Sequence, residues 1–442
     1  MEKALSSSLK IEADWETLEK GSPEERACYA ALGIQYEDVW LTRAEDSFVN
    51  RLRDKVHLSA YRLAEWLAWN WWRLRWEPKA SRPNWALAHR LPTIGGGYVW
   101  PNITIFSDGE RIVFLTKPTP LRAQEPLRYI EDLPAVVRAS TFESAVDQFI
   151  DQVRGQLRAE HLKTTNLDDL WEAVLAERAD PKAALRRRFE ALLGFDPDEA
   201  DNARIDTLVT DSMTLGEESV AEVAASRSGT EDAPTAGELQ QIATEKGFDC
   251  KPHDMARLLS KAQLPSSGQV PAWVRGAEAA RELRNQEQLG AASLSNTRLA
   301  ELAGTSELHL KERDVGPGFS FALDKNAQSG RIVLRSKWEA GRRFELARLI
   351  GDRLAGNGVG KLFPATRSYT YRQKLQRSFA AELLCPFDAL MDMLQGDFST
   401  ETIDEAAQYF NVSALTVRTL LVNHHQIERD DIEGDVESSA AA

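Results

Sequence analysis

Seven histidines, three cysteines and one arginine–aspartate pair are the residues from which this chain could build a reactive centre. The histidines are His57, His89, His161, His253, His309, His424 and His425. A helix-borne zinc site needs two imidazoles four residues apart, with a carboxylate between them as general base. No two of these histidines have that spacing. His424 and His425 are adjacent, so on a helix they project about 100° apart and cannot share an ion. They are expected to close the last helix, where imidazole sits well against the C-terminal dipole. Cys28, Cys250 and Cys385 are far apart and odd in number, which fits neither a disulfide framework nor a metal knuckle. Gly95-Gly96-Gly97 lacks the spacing and the following helix start of a phosphate cradle, and predicts a tight turn. Arg348 and Asp352 are four apart and predict an ion pair along one helix.

The whole-chain properties narrow the classes. At 442 residues the chain has room for two or three domains. Its net charge of -14 argues against broad nucleic-acid binding, which needs Lys and Arg to displace counterions from phosphates. No apolar run reaches the length of a membrane helix, and the first residues lack a secretory apolar stretch. No membrane association and a reducing, cytoplasmic location are therefore expected.

Composition shifts divide the chain. Nine of the twelve tryptophans lie in the first 100 residues. Ser59 to Trp76 predicts one buried helix, with Arg62, Trp66, Trp69, Arg73 and Trp76 along one side. Strands are expected at Tyr98–Phe106 and Arg111–Thr116, joined by the hairpin residues Asp108-Gly109. Helices are expected at Phe142–Leu157 and Leu167–Leu193, the latter carrying Arg186-Arg187-Arg188 on a solvated face. Residues 1–195 thus read as a Trp-rich N-terminal α+β domain of unassigned role. Residues 196–238 lack aromatic side chains and are acidic. They read as a partly flexible linker with a short helix near Leu215–Ala225. Residues 428–442 read as a disordered acidic tail.

From 239 to 427 helices are expected at Glu238–Glu245, His253–Lys261, Val274–Gln288 and Asn296–Ala303. Strands follow at Gly318–Leu323 and Arg331–Ser336. Further helices are expected at Gly341–Leu354, Tyr371–Leu384, Phe387–Leu394, Thr402–Phe410 and Ala414–Asn423. The class is α+β and mainly helical.

Within this order stand Arg343-Phe344-Glu345-Leu346-Ala347, Gly351, and Phe379-Ala380-Ala381-Glu382-Leu383-Leu384-Cys385-Pro386. Arg275-Gly276, Leu283-Arg284 and Phe410-Asn411-Val412-Ser413 flank them. Together, over Leu264 to Ile427, they resemble the ImmA/IrrE family of zinc peptidases. The resemblance implies a zincin-like fold with a small β-hairpin or sheet and a helical C-terminal subdomain. It also implies an H-E-x-x-H helix with a third ligand, a glutamate, on the next helix. Aligned on Phe344 and Gly351, the two histidine positions hold Arg348 and Asp352, and the general-base position holds Leu349. Aligned on Phe379, the third ligand position holds Gln373. Arginine has no lone pair for a metal, leucine cannot take a proton from water, and glutamine is a poor neutral ligand. No cofactor is therefore expected; zinc would return only if this reading of the site fails.

The function implied is a catalytically inactive regulatory or protein-interaction module, in stress response or in mobile-element and phage-related control. Its partner would be a protein, such as a repressor or a toxin. Two alternatives stand beside it. One is a divergent metallo-endopeptidase of this family that cleaves a repressor. The other is a DNA-binding regulator using the helix-turn-helix-like segment Ile403–Val422. Between Glu401 and Ile427 there are three acids and one base, Arg418, a poor balance for groove binding.

Overall fold

Burial alternates along Leu9, Ile11 and Ala13, and that alternation starts the first strand. The computed structural model describes residues 8–82, 84–122, 125–229, 233–259, 261–312, 317–356 and 360–428. The expected tail lies outside them except for Glu428. Contacts divide the chain inside the acidic stretch. One unit runs to Val209 and takes in the turn after Ser226; the other comprises Thr210–Ser226 and the chain from Ala233.

In chain order the first unit begins with β1 (Leu9–Trp15), α1 (Pro23–Ala27), β2 (Tyr29–Tyr36) and β3 (Val39–Trp40). Next come β4 (Ala44–Asp46), β5 (Arg51–Arg53), β6 (Val56–Ser59), α2 (Ala60–Trp69), α3 (Trp71–Trp76) and α4 (Trp85–His89). It continues with β7 (Ile103–Ser107), β8 (Arg111–Thr116), β9 (Leu127–Tyr129), β10 (Pro134–Arg138), α5 (Ala139–Ala159), α6 (Asn166–Ala179) and α7 (Pro181–Leu193). The strands form three small antiparallel sheets: β1, β3 and β6 around β2; β10-β8-β7; and β5-β4-β9. Helix α5 buries Phe142, Val146, Phe149, Ile150, Val153 and Leu157, a stripe at helical spacing. Trp71 stacks on Phe142 and meets Trp171 edge-on.

Several expectations need correction here. The Trp-rich segment is two helices, because Asn70 leaves helical geometry and its amide donates to the Trp66 carbonyl at 2.8 Å. Trp69 consequently points outward and is 56% exposed. The expected strand at Tyr98 starts only at Ile103, after Pro101. Gly95, Gly96 and Gly97 all have positive φ, the tight turn expected. The helix expected over Leu167–Leu193 is broken at Pro181, with Asp180 capping the second half. Arg187 is not on a solvated face: it pairs with Glu177, Glu190 and Asp198.

α8 (Asn202–Leu215) spans the division, and α9 (Glu217–Ser226) follows it. Much of the presumed linker is therefore helical, and α9 is buried from Ser219 to Ala225. The alternation of Val and Ala with single acids supplies an apolar face that the mean composition conceals.

The second unit adds α10 (Ala236–Lys246), β11 (Phe248–Cys250), α11 (Ala272–Gln286), α12 (Asn296–Leu302), β12 (Ser320–Asn326) and β13 (Ser329–Val333). Then follow α13 (Glu339–Ala355), β14 (Leu362–Ala365), α14 (Tyr371–Leu384), α15 (Phe387–Leu394), α16 (Thr400–Phe410) and α17 (Ala414–Asn423). Its sheet is antiparallel in the order β11-β13-β12-β14, so β14 is an edge. Only a short turn at Pro252–Asp254 replaces the helix expected from His253, because the chain straightens at Met255. The molecule is thus α+β, with small antiparallel sheets among many helices. No helix among the described residues is long and apolar enough to cross a membrane.

Candidate functional site

Helices α11, α13 and α14 pack closely because two glycines let them. A Cβ on Gly276 would stand 2.4 Å from the Leu375 carbonyl oxygen, and one on Gly351 would stand 2.5 Å from the Phe379 ring. Substitution at either would push the helices apart. Buried arginines then fasten the ends. Arg343 donates to the carbonyls of Leu294 (2.6 Å) and Asn411 (3.1 Å), tying α13 to the start of α12 and to the turn after α16. Arg284 takes the carbonyls of Leu383, Gly290 and Ala292. Glu382, buried on α14, pairs with Arg281 at 2.8 Å. Thus the charged residues of the sequence motifs serve as fasteners between elements.

This packing brings three of the four sequence-derived site positions together. Arg348 on α13 donates from Nη2 to Gln373 Oε1 on α14 at 2.5 Å. The same nitrogen reaches the Thr366 carbonyl at 2.7 Å and Gln376 Oε1 at 3.2 Å. Asp352, one turn along α13, is fully buried. The ion pair expected between Arg348 and Asp352 is not the one formed. Instead Arg372 takes both Asp352 oxygens, at 2.6 and 2.7 Å. A bidentate fork from the facing helix satisfies the carboxylate better than a neighbour along the same helix. Leu349 is buried in the hydrophobic core, and its side chain has no atom that could act as a base.

Two further residues complete the cluster. Glu222 comes from α9, where it accepts from Thr370 Oγ1 (2.7 Å) and Ser368 Oγ (3.4 Å). Burial raises its carboxyl above the ordinary value of 4.5; the charge of Arg372 and the bonds of Thr370 and Gln373 offset this only in part. Arg372, the second addition, also reaches Ser219 on α9 at 3.2 Å. Burial and the nearby Arg377 push the Arg348 guanidinium down to about 9, which still leaves it a cation at neutral pH. Among the described residues its Nε has no partner. Glu222 carried no spacing signal, since it lies more than a hundred residues before the helices it meets. Arg372 carried one, its place beside Gln373.

The cluster also closes the sheet edge. An exposed edge strand offers carbonyls and N–H groups to any extended chain. Along β14 and the residue after it, alternate carbonyls are already occupied. Ser219 Oγ donates to Leu362, Gln373 and Gln376 donate to Pro364, and Arg348 donates to Thr366. The Thr366 N–H meets Gln373 Oε1 at 2.8 Å, and Pro364 has no N–H to offer. The arrangement fills the acceptors that a bound peptide would need.

The residues present do not fit a zinc ion. Arg348 brings a positive charge and no lone pair, and both Asp352 oxygens are engaged. Among the described residues no three His, Cys, Asp or Glu side chains converge as a metal site. His424 closes α17 and stacks on Phe387 at 3.6 Å, and burial lowers it below its ordinary value. The segment α16–α17 has helix-turn-helix order, but Val417, Leu420 and Leu421 on α17 are buried in this unit's core.

Comparison of the chain with family models, with curated proteins and with solved structures yields no match in any of the three.

Proposed function

We propose that the second unit is a zincin-like domain of ImmA/IrrE type that has lost its metal, and that the protein acts as a regulatory or protein-interaction module. One observation carries this reading. Two separate sequence alignments, one on Phe344 and Gly351 and one on Phe379, nominate Arg348, Asp352 and Gln373. These residues lie on different helices, yet Arg348 and Gln373 bond directly and Asp352 sits one turn away. Positions chosen at random on two helices would not converge on one buried polar cluster. The chemistry of the cluster supports inactivity: it has a guanidinium where a metal would sit and a leucine where a general base would be.

The closed edge of β14 extends the reading. A peptidase aligns its substrate before cutting it, and here Ser219, Gln373, Gln376 and Arg348 occupy that alignment surface. A partner protein, of repressor or toxin type, would then be held elsewhere and left intact. A cytoplasmic location fits three buried, unpaired cysteines. The test is an incubation of the full chain with helix-turn-helix repressors, with and without chelator. The expected outcome is no cleavage in either arm. Chelator-sensitive cleavage, whether or not it survives Asp352→Ala, would overturn the proposal.

A further inference from the structure

The first unit repeats one arrangement: an arginine laid on a tryptophan face while a carboxylate holds its edge. Arg178 lies 4.4 Å from the Trp71 ring and forks onto Asp147 at 2.8 and 3.1 Å. Arg75 lies 3.8 Å from the Trp76 ring and pairs with Glu143 at 2.5 Å. Guanidinium groups favour such sites because they are planar, weakly hydrated and able to stack and donate at once.

A third tryptophan and carboxylate, Trp69 and Glu65, have among the described residues no arginine stacked on the one and bonded to the other. Glu65, Trp66 and Trp69 share a face of α2 and line an open cleft of about 340 Å³ together with Arg62, Thr93, Ile94 and Asn166. Trp69 is 56% exposed. Glu65 is held in place: its Oε1 accepts from Asn166 Nδ2 at 2.7 Å and from Tyr61 at 3.2 Å. Its Oε2 bonds to none of the described residues. Arg62 also lines the cleft: its Nε donates to Glu25, it lies against Gly96, and Glu65 is close enough to help stabilise its charge. No cation among the described residues lies over the Trp69 ring. The cleft thus holds a fixed carboxylate with one open oxygen, beside a bare indole face, in a volume suited to a small group.

We propose that this cleft is a binding site for a guanidinium group, carried either by a free small molecule or by an arginine side chain of a polypeptide. A planar cation would lay on Trp69 and donate to Glu65 Oε2, reproducing what Arg178 does with Trp71 and Asp147. An alkylammonium would keep the charge but lose the planar stack.

The experiment is a titration of the full chain, read by the indole N–H signals of Trp66 and Trp69, with Trp71 as the control for an intact first unit. The probes are ethylguanidinium, butylammonium and acetyl-Gly-Arg-Gly-amide. Saturable shifts of the Trp69 signal are expected with both guanidinium probes, and binding about tenfold weaker with butylammonium. Glu65→Gln keeps the acceptor for Asn166 and Tyr61 but removes the charge; it is expected to weaken binding about tenfold, as is Trp69→Ala. Equal affinity for the two guanidinium probes assigns the site to a free ligand, and a peptide bound about tenfold tighter assigns it to a polypeptide. No saturable shift with either probe, or an affinity unchanged in Glu65→Gln, would overturn the proposal.

Discussion

The two units each bury a charged cluster, and the clusters are built in opposite ways. In the first, one carboxylate is surrounded by donors. Glu77, with no exposed surface, accepts from Arg73 (2.7 Å), Arg82 and His89 (2.9 Å). Burial alone would raise its carboxyl, but the His89 hydrogen bond and the Arg73 charge outweigh it and hold it below the ordinary range. In the second, one cation is surrounded by neutral acceptors. Arg348 meets two glutamine oxygens and a carbonyl, while Asp352, one turn along the helix, belongs to Arg372. Opposite charges meeting in a core form a structural joint. A cation among amides is not such a joint, and this contrast supports the proposed reading of the second unit.

Breaking each cluster at its centre should separate them. Glu77→Ala leaves Arg73, Arg82 and His89 buried together without their common partner. It is expected to lower stability by about 3–5 kcal/mol in urea denaturation of the full chain. Asp352→Asn strands Arg372 in the same way, but Glu222 remains near it, so a loss of about 3 kcal/mol is expected. Replacing both partners, as in Asp352→Asn with Arg372→Met, should recover more than half of it. Arg348→Met should be the mildest of the three. It removes a buried cation, which offsets the loss of the Thr366 carbonyl's donor, and the net change is expected within about 1 kcal/mol. A loss comparable to that of Glu77→Ala would make Arg348 a paired ion like the others and remove the contrast.

The clusters should also answer pH with opposite sign. Glu222 is raised on folding, so the stability it contributes is full below its ordinary value of 4.5 and is lost as pH rises through the folded value. Glu77 is depressed, so its contribution is present above 4.5 and is lost only as pH falls through its lower folded value. As pH falls toward 4.5, hydrogen exchange, corrected for its intrinsic pH dependence, should therefore slow in α13 and α14 and stay level in β7 and β8. Glu222→Gln should remove the slowing; its persistence in that variant would assign the effect to other acids, such as Glu382, which burial also raises.

Much of the second unit was legible from periodicity. Helices α14, α15 and α17 begin and end at the expected residues, because apolar spacing, capping Thr370 and Ser413, and Pro386 all agree there. Strand β8 is equally clear. Strands β1 to β6 were not: β3 to β6 are only two to four residues long, and β4 meets β9 through the fold alone. Helix α9 was hidden by the acidity of its neighbourhood. At the site, the sequence reading paired its own positions wrongly. Local spacing offered Asp352 to Arg348, whereas the packing of α14 offered it Arg372. Glu222 could not be read at all, since only the fold brings α9 to Thr370.

The central claim is that the cluster of Arg348, Asp352 and Gln373 holds no metal. Elemental analysis of the full chain, purified without chelator and then exposed to one equivalent of zinc and desalted, tests it most directly. The account predicts zinc far below one ion per chain. Near-stoichiometric zinc, lost in Asp352→Ala, would contradict it.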